Sequence, residues 1–173
     1  MRAVRAYSGR QFVFAVCLSA LLGWLYFVLP LWIQQGPGRL AIAALVGIPI
    51  ALAVCWIFVA PFLWLLMARP VGWRLAARSG FIIALLMAIA GIVLARIQGW
   101  RAAHEVNSYF QMGGGDHARE IDGMLTPYGW LMTAWESLLF VLAGTVAALI
   151  VRAIIGRGRR PEPEVPEVEP EAR

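Results

Sequence analysis

The sequence predicts an all-α integral membrane protein: four transmembrane helices in a bundle, with both termini in the cytoplasm. Three observations predict it. The chain is 61% hydrophobic and only 14% charged, with a mean hydropathy of +0.72, far from the composition of a soluble domain. Four segments approach the roughly 20 apolar residues that a helix needs to cross a hydrocarbon core about 30 Å thick. The basic residues, all arginine, then cluster on alternate connections between those segments.

The N-terminal stretch 1–11 carries Arg2, Arg5 and Arg10 and is read as cytoplasmic. The first span, 12–33, is FVFAVCLSALLGWLYFVLPLWI. It is too long for the 7 to 15 apolar residues of a signal peptide and is followed by Gln34, Gln35 and Gly36 rather than a small-residue cleavage site, so it is expected to be a retained anchor. QQGPGR, 34–39, is expected to be an external turn that folds the first two spans into a hairpin. The second span, 40–68, is longer than a perpendicular crossing requires and contains Pro49 and Pro61, which predict tilt or a kink. Cys17 and Cys55 lie inside these two spans and are expected to be buried thiols that form no disulfide.

RPVGWRLAARS, within 69–80, is expected to be a basic cytoplasmic loop in which Trp73 anchors at the interface and the arginines meet anionic lipid heads. The uninterrupted apolar runs of the third and fourth segments are short, Phe81 to Ala95 and Leu138 to Val151. Each reaches spanning length only by extension to an interfacial tryptophan, which gives a third span at 81–100 and a fourth within 128–154. The extension draws in Arg96 and Glu136, each about 22 Å from the inner end of its helix at 1.5 Å per residue. Opposite charges at one depth on consecutive antiparallel helices predict an intramembrane ion pair, Arg96 with Glu136. The rows Ala84, Ala88, Gly91 and Ala95 on the third span, and Ala143 and Ala147 on the fourth, predict the helix-packing face.

The external region 101–127 is expected to form two amphipathic helices on a glycine hinge. The third span continues through Trp100, Ala103, Val106 and Phe110, Gly113 to Gly115 break it, and Asp116 caps a second short helix, DHAREIDGML. Thr126 followed by Pro127 signals the start of the fourth span, as cap and first helical residue. The tail, 155–173, alternates Pro, Glu and Val and is expected to be a disordered acidic cytoplasmic segment.

Orientation follows from position of charge. Arg2, Arg5, Arg10, Arg69, Arg74, Arg78, Arg152, Arg157, Arg159 and Arg160 fall on one side, against Arg39, Arg101, Arg119 and the membrane-edge Arg96 on the other. The positive-inside rule places the former in the cytoplasm of a cell inner membrane.

The chemistry on offer is sparse. His104, His117 and Glu120 are the only metal-ligand candidates the spacing suggests, and they lack the second histidine of a zinc-protease helix, because Ser108 stands where HEVNS would need it. No nucleophile elbow, paired-cysteine motif, phosphate loop or dinucleotide fingerprint occurs, and no span contains a histidine to ligate haem. No cofactor is implied. Arginines beside spans are topology signals rather than a nucleic-acid footprint. The expected function is a non-enzymatic polytopic subunit or scaffold of a larger envelope complex, in transport, secretion, conjugation or respiration, whose partners are the lipid bilayer, other membrane or envelope proteins, and in one arrangement further copies of itself. The alternatives are a small oligomeric carrier or channel using Glu136, and an integral-membrane enzyme with an external active site.

Overall fold

A computed structural model describes residues 6–35, 40–104, 111–112 and 117–158. Four helical rods are long and apolar enough to cross a membrane. In chain order they are α1 (Gly9–Gln35), a second rod made of α2 (Leu40–Val54), a π-helical segment (Cys55–Val59) and α3 (Ala60–Leu66), then α4 (Trp73–Ala103) and α5 (Pro127–Ile155). A small antiparallel sheet lies between α4 and α5, formed by β1 (Gln111–Met112), β2 (Glu120–Ile121) and β3 (Met124–Leu125) in that order. Of the expected turn at 34–39, Gln34 and Gln35 belong to α1 and the rest lies outside the described residues, as do the expected helix continuation through Val106 and Phe110, Gly113 to Gly115 and the acidic tail beyond residue 158.

The rods pack side by side, with α1 in contact with both the second rod and α5, and α4 packed against α5. Apolar residues cover all sides of these helices, as expected where the solvent is lipid and small residues decide which faces meet. The tightest contact is between α4 and α5. A β-carbon added to Gly144 would stand 2.5 Å from the Ala84 Cβ, and one added to Gly80 would stand 2.5 Å from the Ala148 Cβ. Ala84 is buried here, while Gly91 and Ala95 are exposed and Gly91 has nothing within reach of an added β-carbon. The expected small-residue face is thus engaged at Ala84 and not at Gly91 or Ala95. Gly80 and Gly144, outside the expected set, form the close approach instead.

In the second rod Ala60 N–H donates to the Cys55 carbonyl, a bond one residue wider than the α-helical one, just before Pro61. Proline supplies no N–H to the preceding turn, and a π segment is one way the helix absorbs the mismatch. The widened turn carries Trp56, which meets Phe12 of α1 edge-on at 6.1 Å, and Trp64 of α3 meets the same ring at 5.1 Å. Cys55 is buried among Val16, Ala20 and Ala60, whereas Cys17 faces outward, contrary to the expected burial of both thiols; both are free.

The α4 helix begins at Trp73, so most of the segment expected as a basic loop is helical. Membrane spans are counted from apolar runs, but helices are not bounded by them: Arg74 and Arg78 are good helix formers whose long side chains reach water from a helical backbone. At 31 and 29 residues, α4 and α5 measure about 46 and 44 Å, well beyond the roughly 30 Å of hydrocarbon.

At one end of the packed helices, the arginine end, three chain segments converge on Tyr7. Its hydroxyl accepts from the Val71 N–H at 3.1 Å and donates to the Gly156 carbonyl at 3.2 Å. Arg152 Nε donates to the Val71 carbonyl, and its guanidinium lies over the Trp73 ring at 5.0 Å. The described beginning and end of the chain therefore meet at the same end of the bundle.

Candidate functional site

The opposite end carries a cap, and the expected second amphipathic helix does not form there. Residues 120–125 make a hairpin in which Glu120 pairs with Leu125 and Ile121 with Met124. The two-residue loop is Asp122-Gly123, both at positive φ (48° and 76°), the backbone that a type I′ turn requires and that Asp-Gly favours. Gly123 meets the Gly99 carbonyl so closely that a β-carbon on it could not be accommodated, which seats the hairpin on the last turns of α4. Thr126 is extended (φ −72°, ψ 168°), and its hydroxyl accepts from the Gly129 N–H at 3.0 Å while donating to the Ala118 carbonyl. One side chain thus caps α5 and ties it to the strand leading into the hairpin.

The charged residues are arranged by this cap rather than by direct contact between the helices. Arg96 and Glu136 do not pair. Arg96 Nη1 lies 3.5 Å from Glu120 Oε1 and 3.4 Å from the Gly123 carbonyl, and Glu136 Oε1 accepts from Arg119 Nη2 at 2.6 Å. The correction has a physical reason. Depths measured from Phe81 and Val151 leave out that α4 begins eight residues earlier and α5 ends four residues later; with Ala84 against Gly144 and Gly80 against Ala148, Arg96 comes level with Met132, about 6 Å along α5 from Glu136 at 1.5 Å per residue. Open strand edges cannot face hydrocarbon, because their N–H and C=O groups would go unsatisfied. The loop between α4 and α5 thus supplies the partners of both charges.

The two bridges differ in setting. The Arg96 and Glu120 side chains are 29% and 14% exposed, whereas those of Arg119 and Glu136 are 33% and 56% exposed. Trp100 and Trp130 line a shallow groove with Arg96, so both indoles expected at the interface border the cap.

The metal-ligand candidates are otherwise engaged. Among the described residues no three His, Cys, Asp or Glu side chains gather as a metal site would require. His104 Nδ1 bonds the Trp100 carbonyl at 2.8 Å with its ring over the indole at 4.4 Å, His117 sits edge-on to Tyr128 at 5.3 Å, and Glu120 is held by Arg96.

Between the helices lies a partly open cavity that no sequence pattern announces. A cavity of about 840 Å³ opens between α1, α2, α4 and α5, lined among others by Gly23, Gly47, Met87, Phe140, Ala143 and Ala147, with Arg152 at the arginine end. Glu136 does not line it. Ala143 and Ala147, expected to meet another helix, face this space. The missed hairpin had a signal in the Asp-Gly dipeptide; the cavity had none, because it depends on how far apart α2 and α4 stand. No family model, curated protein or solved structure matches the chain.

Proposed function

We propose that the chain is a non-enzymatic multi-pass subunit or scaffold of a larger cell-envelope complex, seated in the inner membrane with the arginine end in the cytoplasm and the cap outside. The observation that supports this reading best is the cap. Two ion pairs, a threonine cap and a glycine contact hold the hairpin on α4 and α5, and it presents Ile121 and the 70%-exposed Met124 outward. A short hairpin is marginal alone and must be held by neighbours. A held hairpin offers a partner an ordered surface at little further entropic cost. The alternative of a carrier working through Glu136 finds no such support, since that carboxylate lies off the cavity and is ion-paired to Arg119.

Photo-crosslinking tests the reading. A photoreactive side chain at Met124 or Ile121 is expected to capture one membrane or envelope protein that also co-purifies at fixed ratio in mild detergent. The same group at Ile57, on the outward face of the π segment, is expected to capture lipid. A protein that is monodisperse and self-contained in detergent, with no adduct from either cap position, would overturn it. Flux in liposomes abolished by Glu136→Gln would favour the carrier instead.

A further inference from the structure

We propose that the cavity between α1, α2, α4 and α5 holds an anionic phospholipid drawn from the leaflet at the arginine end, its acyl chains along the apolar wall and its phosphate at Arg152. Protein interiors tolerate few voids larger than a water molecule. A space of about 840 Å³ lies in the size range of ligand pockets, and apolar lining excludes water as its filling. Hydrocarbon matches that wall along its length.

The choice between a lipid and a helix from another chain rests on charge. Arg152 lines the cavity, its Nε is committed to the Val71 carbonyl, and the Trp73 ring lies against its plane. Its two terminal nitrogens make no hydrogen bond to any described residue. A phosphate accepts from such a fork in bidentate fashion; the apolar flank of a membrane helix offers no acceptor. The surroundings agree. Arg10, Arg69, Arg74, Arg78, Arg152 and Arg157 stand at this end, while the described carboxylates, Glu120, Asp122 and Glu136, all belong to the cap end. No described carboxylate stands at this end, the glutamates of the tail lying outside the described residues, and basic pockets between spans are where anionic headgroups settle.

Native mass spectrometry of the full chain from micelles doped with equal phosphatidylglycerol and phosphatidylcholine tests this. After loosely held lipid is stripped, one phosphatidylglycerol is expected to remain bound. Arg152→Gln should lower its retention about tenfold relative to phosphatidylcholine, a charge-assisted contact being lost. Ala147→Phe, which fills the cavity without touching a charge, should expel both lipids, and Arg74→Gln should leave retention unchanged. If Arg152→Gln does not fold, the selectivity of the parent chain and the effect of Ala147→Phe still decide. Equal retention of the two lipids, retention indifferent to Ala147→Phe, or a lipid-free dimer that Ala147→Phe dissociates would each overturn the proposal.

Discussion

Glu136 illustrates how a residue's setting determines what its charge is worth. Its bridge to Arg119 is short, but the carboxylate is more than half exposed, and exposed pairs contribute about 0–1 kcal/mol. Arg96 and Glu120 are more enclosed, and the Arg96 guanidinium donates to both Glu120 and the Gly123 carbonyl, so losing either side chain leaves a less hydrated partner. Thermal unfolding in detergent is therefore expected to show a larger loss for Glu120→Gln than for Glu136→Gln. Charge swaps separate the pairings: Arg119→Glu with Glu136→Arg should recover stability relative to the single changes, while Arg96→Glu with Glu136→Arg should show additive losses. Rescue in the second swap and additivity in the first would sink the assignment. At the other end Tyr7→Phe removes the acceptor of the buried Val71 N–H and the donor to Gly156 together, for an expected loss of about 1–3 kcal/mol on the same assay.

At the scale of elements, the contact of α4 with α5 is local. Gly144→Leu must push Ala84 away and is expected to cost about 1–3 kcal/mol, whereas Gly91→Ala, in open space on the same α4 helix, should be neutral or slightly stabilising because alanine is the better helix former. Equal losses at the two positions would mean that the close approach runs the length of the helices. The sequence shows why small residues mattered without showing which of them would meet. Small side chains recur along both faces of α4, and their use depends on where α5 crosses, a tertiary quantity. The four spans were legible because hydrocarbon demands long apolar helices, and the α5 start was legible because Thr126 and Pro127 carry the cap chemistry themselves. The region after α4 was misread because His117 to Leu125 contains helix-compatible spacing as well as an Asp-Gly turn. The turn prevailed because the hairpin finds Gly99, Arg96 and Thr126 to dock on. Arg96 and Glu136, expected to pair with each other inside the membrane, instead find Glu120 and Arg119, on a loop whose path no periodicity reveals.

For the whole molecule the governing asymmetry is electrostatic. Six described arginines gather at the arginine end with no described carboxylate, while at the cap end Arg96 and Arg119 are both neutralised by acids. The positive-inside rule counts uncompensated and compensated arginines alike, and both ways of counting favour the proposed orientation, with the cap outside. Tyr7 and Gly156 touch, so the first and last described residues share whichever side the arginines take, and a single orientation measurement fixes both. The two native thiols suit the experiment: Cys55 is buried, and Cys17 points outward from the second turn or so of α1, where hydrocarbon would shield it from a charged reagent. A cysteine placed at Met124 is expected to react with a membrane-impermeant maleimide in intact cells, and one placed at Arg157 only after the membrane is opened. Reaction at Arg157 in intact cells would invert the molecule. Charge at the arginine end would then face the outer leaflet, and the lipid held at Arg152 would have to come from there.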